Sequence, residues 1–360
     1  MVHLFRALTK CLPTFLAGLL VVGLETSAAS AEPLKIVGTI KAADWDAYRA
    51  RFVDRTGRII DDANGNISHS EGQGYGLLLA LAANDRRTFE QIWTFTRTEL
   101  LIRDDGLAAW KWEPNASPNV TDTNNASDGD VLIAYALAMA AQAWKEPRYQ
   151  TAAQALVKAI GKVLLRESGG RLVMLPGAKG FAESDRADGL VVNPSYWVFE
   201  AFEVFTALAP DHDWARLRRD GIAIIEQGSQ NPAGLPPDWL AIPSQGAMQP
   251  AQGFPPVFGY NAVRIPLYLV RAGLTDGRWF GTLRQRWPGG AVEIVDVTTG
   301  SMQETLSGKG YSMVAALVAC ATSSRVLSPE VRGFSVDLYY PSTLHLLGLS
   351  YVAERRPRCL

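Results

Sequence analysis

Two kinds of segment alternate along this chain. One kind is apolar almost all round: GDVLIAYALAMAAQAW (Gly129 to Trp144), SYWVFEAFEVFTAL (Ser195 to Leu208), AVRIPLYLVRAG (Ala262 to Gly273), YSMVAALVACA (Tyr311 to Ala321) and PSTLHLLGLSYVAER (Pro341 to Arg355). The other kind is amphipathic: DWDAYRARFV (Asp44 to Val53), RYQTAAQALVKAIGKVLL (Arg148 to Leu165) and WARLRRDGIAIIEQG (Trp214 to Gly228). The stretch from Gly76 to Leu100 reads as two helices broken near Asn84-Asp85. A helix that is apolar on every side must be enclosed, whereas an amphipathic one can face water. The alternation therefore predicts an all-α fold in which an inner ring of helices is wrapped by an outer ring. The units share almost no sequence, so the repetition is structural. One strand candidate stands out, AVEIVDVTTG (Ala291 to Gly300), which alternates well enough for an edge hairpin. RLVMLPG (Arg171 to Gly177) is a weaker one.

The N-terminus breaks this rhythm. His3, Arg6 and Lys10 precede the apolar run Leu12 to Leu24, and small residues follow, ending Ala29-Ser30-Ala31. This is the pattern of a secretory signal peptide cleaved after Ala31, and the run is short for a bilayer span. The expectation is a secreted or periplasmic protein with no stable membrane insertion. After residue 32 no Ser/Gly/Pro-rich tract or charge block marks a linker, so residues 32–360 are expected to form one domain. Beyond the leader the chain has two cysteines, Cys320 and Cys359. Cys320 reads as a buried thiol, and one disulfide is open to it. No Cys/His cluster has metal spacing, and neither metal nor cofactor is expected.

Composition narrows the ligand. A formal net charge of −1 over 360 residues gives no electrostatic footprint for nucleic acid. Ten tryptophans and eleven tyrosines suit flat, weakly charged ligands such as sugars, as well as a core.

Candidate chemistry lies in the segments before the inner helices. SEGQGYG (Ser70 to Gly76) holds Glu71 among glycines, which let a ligand approach the backbone closely. Taken alone, Glu71 reads as a helix-start carboxylate favoured by the dipole. ASDGD (Ala126 to Asp130) adds Asp128 and Asp130, where ordinary N-capping by Ser127 or Asp128 is the plain alternative. Two aspartates opening a nearly uncharged helix exceed what a cap needs, because buried carboxylates are costly unless paired or used. Paired carboxylates suit glycoside hydrolysis, where one group protonates the leaving oxygen and another activates water or attacks carbon. In LAAWKWEP, Trp110 and Trp112 are two apart and so share a face if the stretch is extended. That spacing fits a sugar platform or two core indoles equally.

SEGQGYG together with ASDGDVLIAYALAMAAQAW resembles glycoside hydrolase family 8, the bacterial endoglucanases, chitosanases and related xylanases. LAAWKW, NPSYW, LPPDW, YNAVRIP and YYPSTLHLL also look like family motifs, and the resemblance spans essentially the whole chain after the leader. Within the family the chain is most similar to the compact cellulases encoded beside bacterial cellulose synthases. The resemblance implies an (α/α)6 barrel of six inner and six outer helices, here with a small β-hairpin excursion. It implies inverting, endo-acting hydrolysis of β-1,4-glucosidic bonds in cellulose, possible proximity to a cellulose synthase, Glu71 as general acid, and Asp128 as the group that holds and distorts the central sugar.

The general base departs from the family pattern. Many family endoglucanases have Asp after the tyrosine of a YDAxR motif; here Tyr260-Asn261-Ala262-Val263-Arg264 places an amide at 261. Some relatives use a carboxylate from the preceding loop. Between Gly228 and Tyr260 the one acidic residue is Asp238, which becomes the candidate; Asp130, or a water chain to Asp128, stays open. Asn261 is expected to orient the water. Arg264 is expected to steady the base region or a sugar hydroxyl. Tyr196, Tyr260 and Tyr340 are candidate subsite residues at inner-helix mouths, with core packing as the alternative. His69 is expected to be a hydrogen-bonding neighbour of Glu71, and DDANGN (Asp61 to Asn66) a plain turn. A glucan-binding accessory protein with weak catalysis, or a chitosanase or xylanase of the same family, would fit the same residues.

Overall fold

The computed structural model describes residues 35–360. The expected signal peptide lies outside these residues. Twelve helices are present among them: α1 (Ala42–Phe52), α2 (Ser70–Ala82), α3 (Arg86–Phe95), α4 (Ser127–Trp144), α5 (Pro147–Leu164), α6 (Phe199–Leu208), α7 (Trp214–Gly228), α8 (Arg264–Arg271), α9 (Trp279–Arg286), α10 (Lys309–Ser323), α11 (Pro329–Arg332) and α12 (Tyr339–Arg355). The even-numbered helices pack in sequence, α2 on α4, α4 on α6, α6 on α8, α8 on α10 and α10 on α12, and α12 returns to α2. That closes an inner ring of six. The odd-numbered helices form the outer layer, so the architecture is the expected (α/α)6 barrel.

Burial follows the sequence pattern. In α4 every residue from Ser127 to Ala141 is buried, whereas α5 buries one stripe, including Tyr149, Ala153, Leu156, Val157 and Ile160. This is what full enclosure of one helix and one-sided burial of the next require. A turn of π-helix (Thr96–Leu100) ends α3.

Three details differ from the sequence reading. First, α2 begins at Ser70, so SEGQGYG forms the first two turns of the helix and does not precede it. Second, Val292–Asp296 is the middle strand of a three-stranded sheet, between Met302–Leu306 and Val257–Phe258, not half of a lone edge hairpin. The extra pairing sets Phe258 opposite Val295, and both are fully buried. Third, α9 and α11 carry too few periodic residues to read as helices. Arg171–Met174 does form a strand, paired with Leu165–Ser168. Cys320 and Cys359 form a disulfide that ties α10 to the C-terminal turn. Among the described residues no helix is long and apolar enough to cross a membrane.

Candidate active site

The inner helices deliver their N-terminal turns to one end of the ring, and glycines set how closely two of them meet. A Cβ at Gly129 would lie 2.1 Å from Ser70 Oγ and 2.6 Å from the Glu71 nitrogen; one at Gly74 would lie 2.5 Å from Leu132 Cβ. The glycines of SEGQGYG and ASDGD therefore let α2 and α4 touch, bringing the first turns that carry Glu71 and Asp128 together. Their bareness serves helix packing before it serves a ligand.

Neither acid caps its helix. The cap of α2 is His69, whose Nδ1 accepts the Gly72 N–H at 2.9 Å, and Ala126 precedes α4 with no side-chain cap bond. His69 Nε2 lies 3.4 Å from Asp61 Oδ2, and its Nδ1 lies 3.7 Å from Glu71 Oε2. An Nδ1 that accepts leaves the ring proton on Nε2, facing Asp61.

Arg264, from the first turn of α8, is the hub. Its side chain is buried, with Nη1 against Glu71 Oε1. Nη2 donates to Ser195 Oγ at 2.8 Å and to Asn261 Oδ1 at 3.1 Å, and lies 3.6 Å from Asp128 Oδ2. The rings of Tyr196 and Tyr340 lie 5.6 and 5.9 Å from the guanidinium carbon, within cation–π range.

Asp238 anchors the loop into α8. Its Oδ1 accepts the N–H groups of Gly259 and Ala262, both at 2.8 Å. Its Oδ2 has only two long contacts, to the Asn261 backbone and side-chain nitrogens, both at 3.4 Å. A side chain at Gly259 would stand 3.0 Å from this oxygen. Burial pushes the Asp238 carboxyl above the ordinary range, against the N–H groups that favour its ionised form. Burial likewise pushes Asp128 up to about 7.

Asp130 is spoken for differently. It is fully buried, Oδ1 accepting the Ala108 N–H and Oδ2 the Asn125 side chain, both at 2.8 Å, and burial raises it to about 7. Its Oδ1 thus holds the stretch leading to Trp110 and its Oδ2 the Asn125 side chain in the segment before α4, so both oxygens of Asp130 are engaged within the protein. The two indoles also part company. Trp110 donates to Asp122 Oδ2 at 2.8 Å, whereas Trp112 donates to Glu99 at 3.3 Å and packs against Phe95 and Arg58. The extended pair is only Lys111–Trp112, so the two-residue alternation does not reach back to Trp110.

A cleft of about 630 Å³ opens beside Asn261 and Arg264. Tyr260, Tyr311 and Tyr340 line it, as do the carboxylates of Asp61, Glu304 and Asp337. The cleft is thus more acidic than the stretch from 228 to 260 implies, and DDANGN contributes a wall as well as a turn. Ser195 was within reach of the sequence, in NPSYW. Glu304 and Asp337 had no signal, because an exposed carboxylate on a strand or loop looks like any solvated one.

Comparison with known proteins decides the family. The model of glycosyl hydrolases family 8 matches residues 11–354. The chain belongs to this family. It is 44% identical to an endoglucanase of Cellulomonas uda over 225 residues, 62% of each protein, so that match spans under two thirds of the relative's length. Among solved structures it is similar to endoglucanase Cel10 from Klebsiella pneumoniae, at 36% identity and a TM-score of 0.77 over 86% of this chain and 98% of that one. It is also similar to endo-β-1,4-glucanase CMCax from Acetobacter xylinum, at 33% identity and a TM-score of 0.80 over 89% and 99%.

Proposed function

We propose that this family 8 member hydrolyses internal β-1,4-glucosidic bonds of cellulose-type glucan with inversion, using Glu71 as general acid and Asp238 as general base. The observation that carries the assignment is Arg264, one guanidinium that meets Glu71 and Asp128 directly and reaches Asp238 through Asn261. A guanidinium and an amide stand between Glu71 and Asp238, so the two carboxyls are not in direct contact. Inversion needs such a separation, because a water must fit on the face of the sugar opposite the acid.

The step then runs as follows. Oε1 of Glu71 is held against Arg264, so the transferable proton resides on Oε2. It passes to the glycosidic oxygen as the C1–O bond breaks. A water attacks C1 from the other face and gives its proton to Oδ2 of Asp238, the oxygen with only long contacts. The β-linked substrate thereby yields an α-product. Asn261, donating toward Asp238 and accepting from Arg264, fixes the carboxylate and leaves proton transfer to it; an amide oxygen is too weak a base for that task. Asp128, beside the same guanidinium, holds the central sugar. Trp110, Tyr196, Tyr260 and Tyr340 supply aromatic contacts along the chain of sugars.

Glu71→Gln keeps the shape and removes the proton. Hydrolysis of carboxymethyl cellulose should fall by about a thousandfold or more with the circular dichroism spectrum unchanged; substantial residual turnover would overturn the assignment. The disulfide suits an oxidising compartment, which supports export by the N-terminal leader. The resemblance to synthase-associated cellulases extends the proposal to glucan trimmed near a cellulose synthase.

A further inference from the structure

Nη2 of Arg264 carries a pair of protons, and both are spent on neutral acceptors. One goes to Ser195 Oγ at 2.8 Å and the other to Asn261 Oδ1 at 3.1 Å. Asp128 approaches the same nitrogen, its Oδ2 at 3.6 Å, but no proton of Nη2 is left to reach it. Oδ1 of Asp128 accepts the Gly129 N–H at 2.8 Å, whereas Oδ2 accepts no hydrogen bond among the described residues. A buried carboxylate this near a guanidinium is drawn to close onto it, because a charge-assisted hydrogen bond is about twice as strong as a neutral one. Ser195 stands against that closure. It lies in the turn Pro194–Tyr196 ahead of α6 and, like Asn193, is fully buried. Its hydroxyl donates to Asn193 Oδ1 at 2.7 Å, and the same oxygen accepts its backbone N–H at 3.1 Å. The hydroxyl hydrogen is thus turned away from Arg264, and a lone pair faces the guanidinium.

We propose that Ser195 is a positioning residue: by occupying one Nη2 proton it keeps Arg264 from closing onto Asp128, and so leaves Oδ2 of Asp128 free to take a hydroxyl of the central sugar. The proposal rests on the glucanase reading above. The gap to be closed is small, from 3.6 Å to the roughly 2.8 Å of a charge-assisted contact. A buried pair is weakly screened, so once closed it would have to be displaced by each incoming sugar. A neutral hydroxyl holds the cation in place without that competition. Asn261 occupies the second proton in the same way, but it also touches Asp238. Ser195 has side-chain bonds only to Arg264 and Asn193, so its effect on Asp128 can be read alone.

The test joins crystallography of Ser195→Ala with calorimetry of cellohexaose on Glu71→Gln, alone and combined with Ser195→Ala, Ser195→Cys or Ser195→Thr. Alanine keeps the backbone N–H that Asn193 accepts, so the turn should hold its shape. In Ser195→Ala the guanidinium should move until Nη2 lies within about 3.2 Å of Asp128 Oδ2, and cellohexaose should bind about tenfold more weakly. Cysteine, which keeps the volume with a poor acceptor, should behave as alanine does. Threonine restores the hydroxyl and should restore binding. A guanidinium that stays in place in Ser195→Ala would overturn the proposal, as would binding that stays lost in Ser195→Thr with Nη2 still on the hydroxyl. A closed pair with undiminished binding would overturn the sugar contact of Asp128 and leave the spacing role of Ser195 standing. No binding to Glu71→Gln alone would sink the glucanase reading itself.

Discussion

The side-chain nitrogen of Asn261 lies 3.4 Å from Oδ2 of Asp238. This contact places a neutral donor beside a carboxylate that burial already makes harder to ionise. An aspartate at 261 would put two negative charges at that distance, and one would be driven to protonate. The amide resolves the conflict in favour of Asp238.

The pH dependence follows in sign. The proposed base, Asp238, must work ionised, and burial raises its carboxyl above the ordinary range. The acidic limb of kcat/KM should therefore sit above about pH 4, with activity falling as pH drops through it. Asn261→Asp should move that limb upward, because the added charge opposes ionisation of its neighbour. An unmoved limb in a rate–pH profile would count against the pairing.

The contact of α2 with α4 predicts a packing effect. Gly129→Ala drives a methyl toward Ser70 and the Glu71 backbone. It should cost roughly 1–3 kcal/mol in chemical denaturation and lower kcat by about a hundredfold through displacement of the acid. Ala138→Gly, further along α4, should leave kcat unchanged.

Asp128 and Asp130 predict how stability responds to pH. Both are raised to about 7 when folded, above their ordinary value of 3.8. Between these values the folded state binds more protons than the unfolded one, so stability is greatest near pH 4 and declines as pH rises to 7. Asp54, Asp85, Asp105 and Asp122 are lowered, so their contribution is lost only below the ordinary carboxylate range. Melting temperature should fall from pH 4.5 to 7.5 (about the window set by these values), and Asp130→Asn should flatten the slope. A slope unchanged in that variant would show that Asp130 does not titrate there.

The disulfide closes a loop with a sequence separation of 39, which includes the start of α12 and Tyr340. Its removal by Cys320→Ser with Cys359→Ser should cost about 4 kcal/mol by chain entropy. Denaturant unfolding checks the cost, and turnover at low temperature should be preserved.

Much of this was legible in the residues. The alternation of enclosed and amphipathic helices gave the two rings, because burial on all sides and on one side leave different patterns. Glu71 and Asp128 each had a plain explanation at a helix start, and stood out only as a pair and through the motifs that carry them. Arg264 was visible by its apolar neighbours, but not as a hub, since ion-pair partners come from α2 and α4, nearly 200 and more than 130 positions away. The acidic wall from Asp61, Glu304 and Asp337 was hidden because each residue is ordinary in its own segment. That both Asp130 oxygens are bound within the protein was not legible, because a motif shows which acids are near a site and not which way each carboxylate turns.

The division of labour between Glu71 and Asp238 is tested most directly by Asp238→Ala on cellohexaose, with and without azide, followed by NMR of the products. The account predicts that hydrolysis falls by at least about a hundredfold. Azide, entering the space left by the carboxylate and needing no base, should then restore turnover and give the α-glycosyl azide. Near-normal hydrolysis by the variant, or lost hydrolysis with intact glucan binding and no azide product, would contradict the assignment.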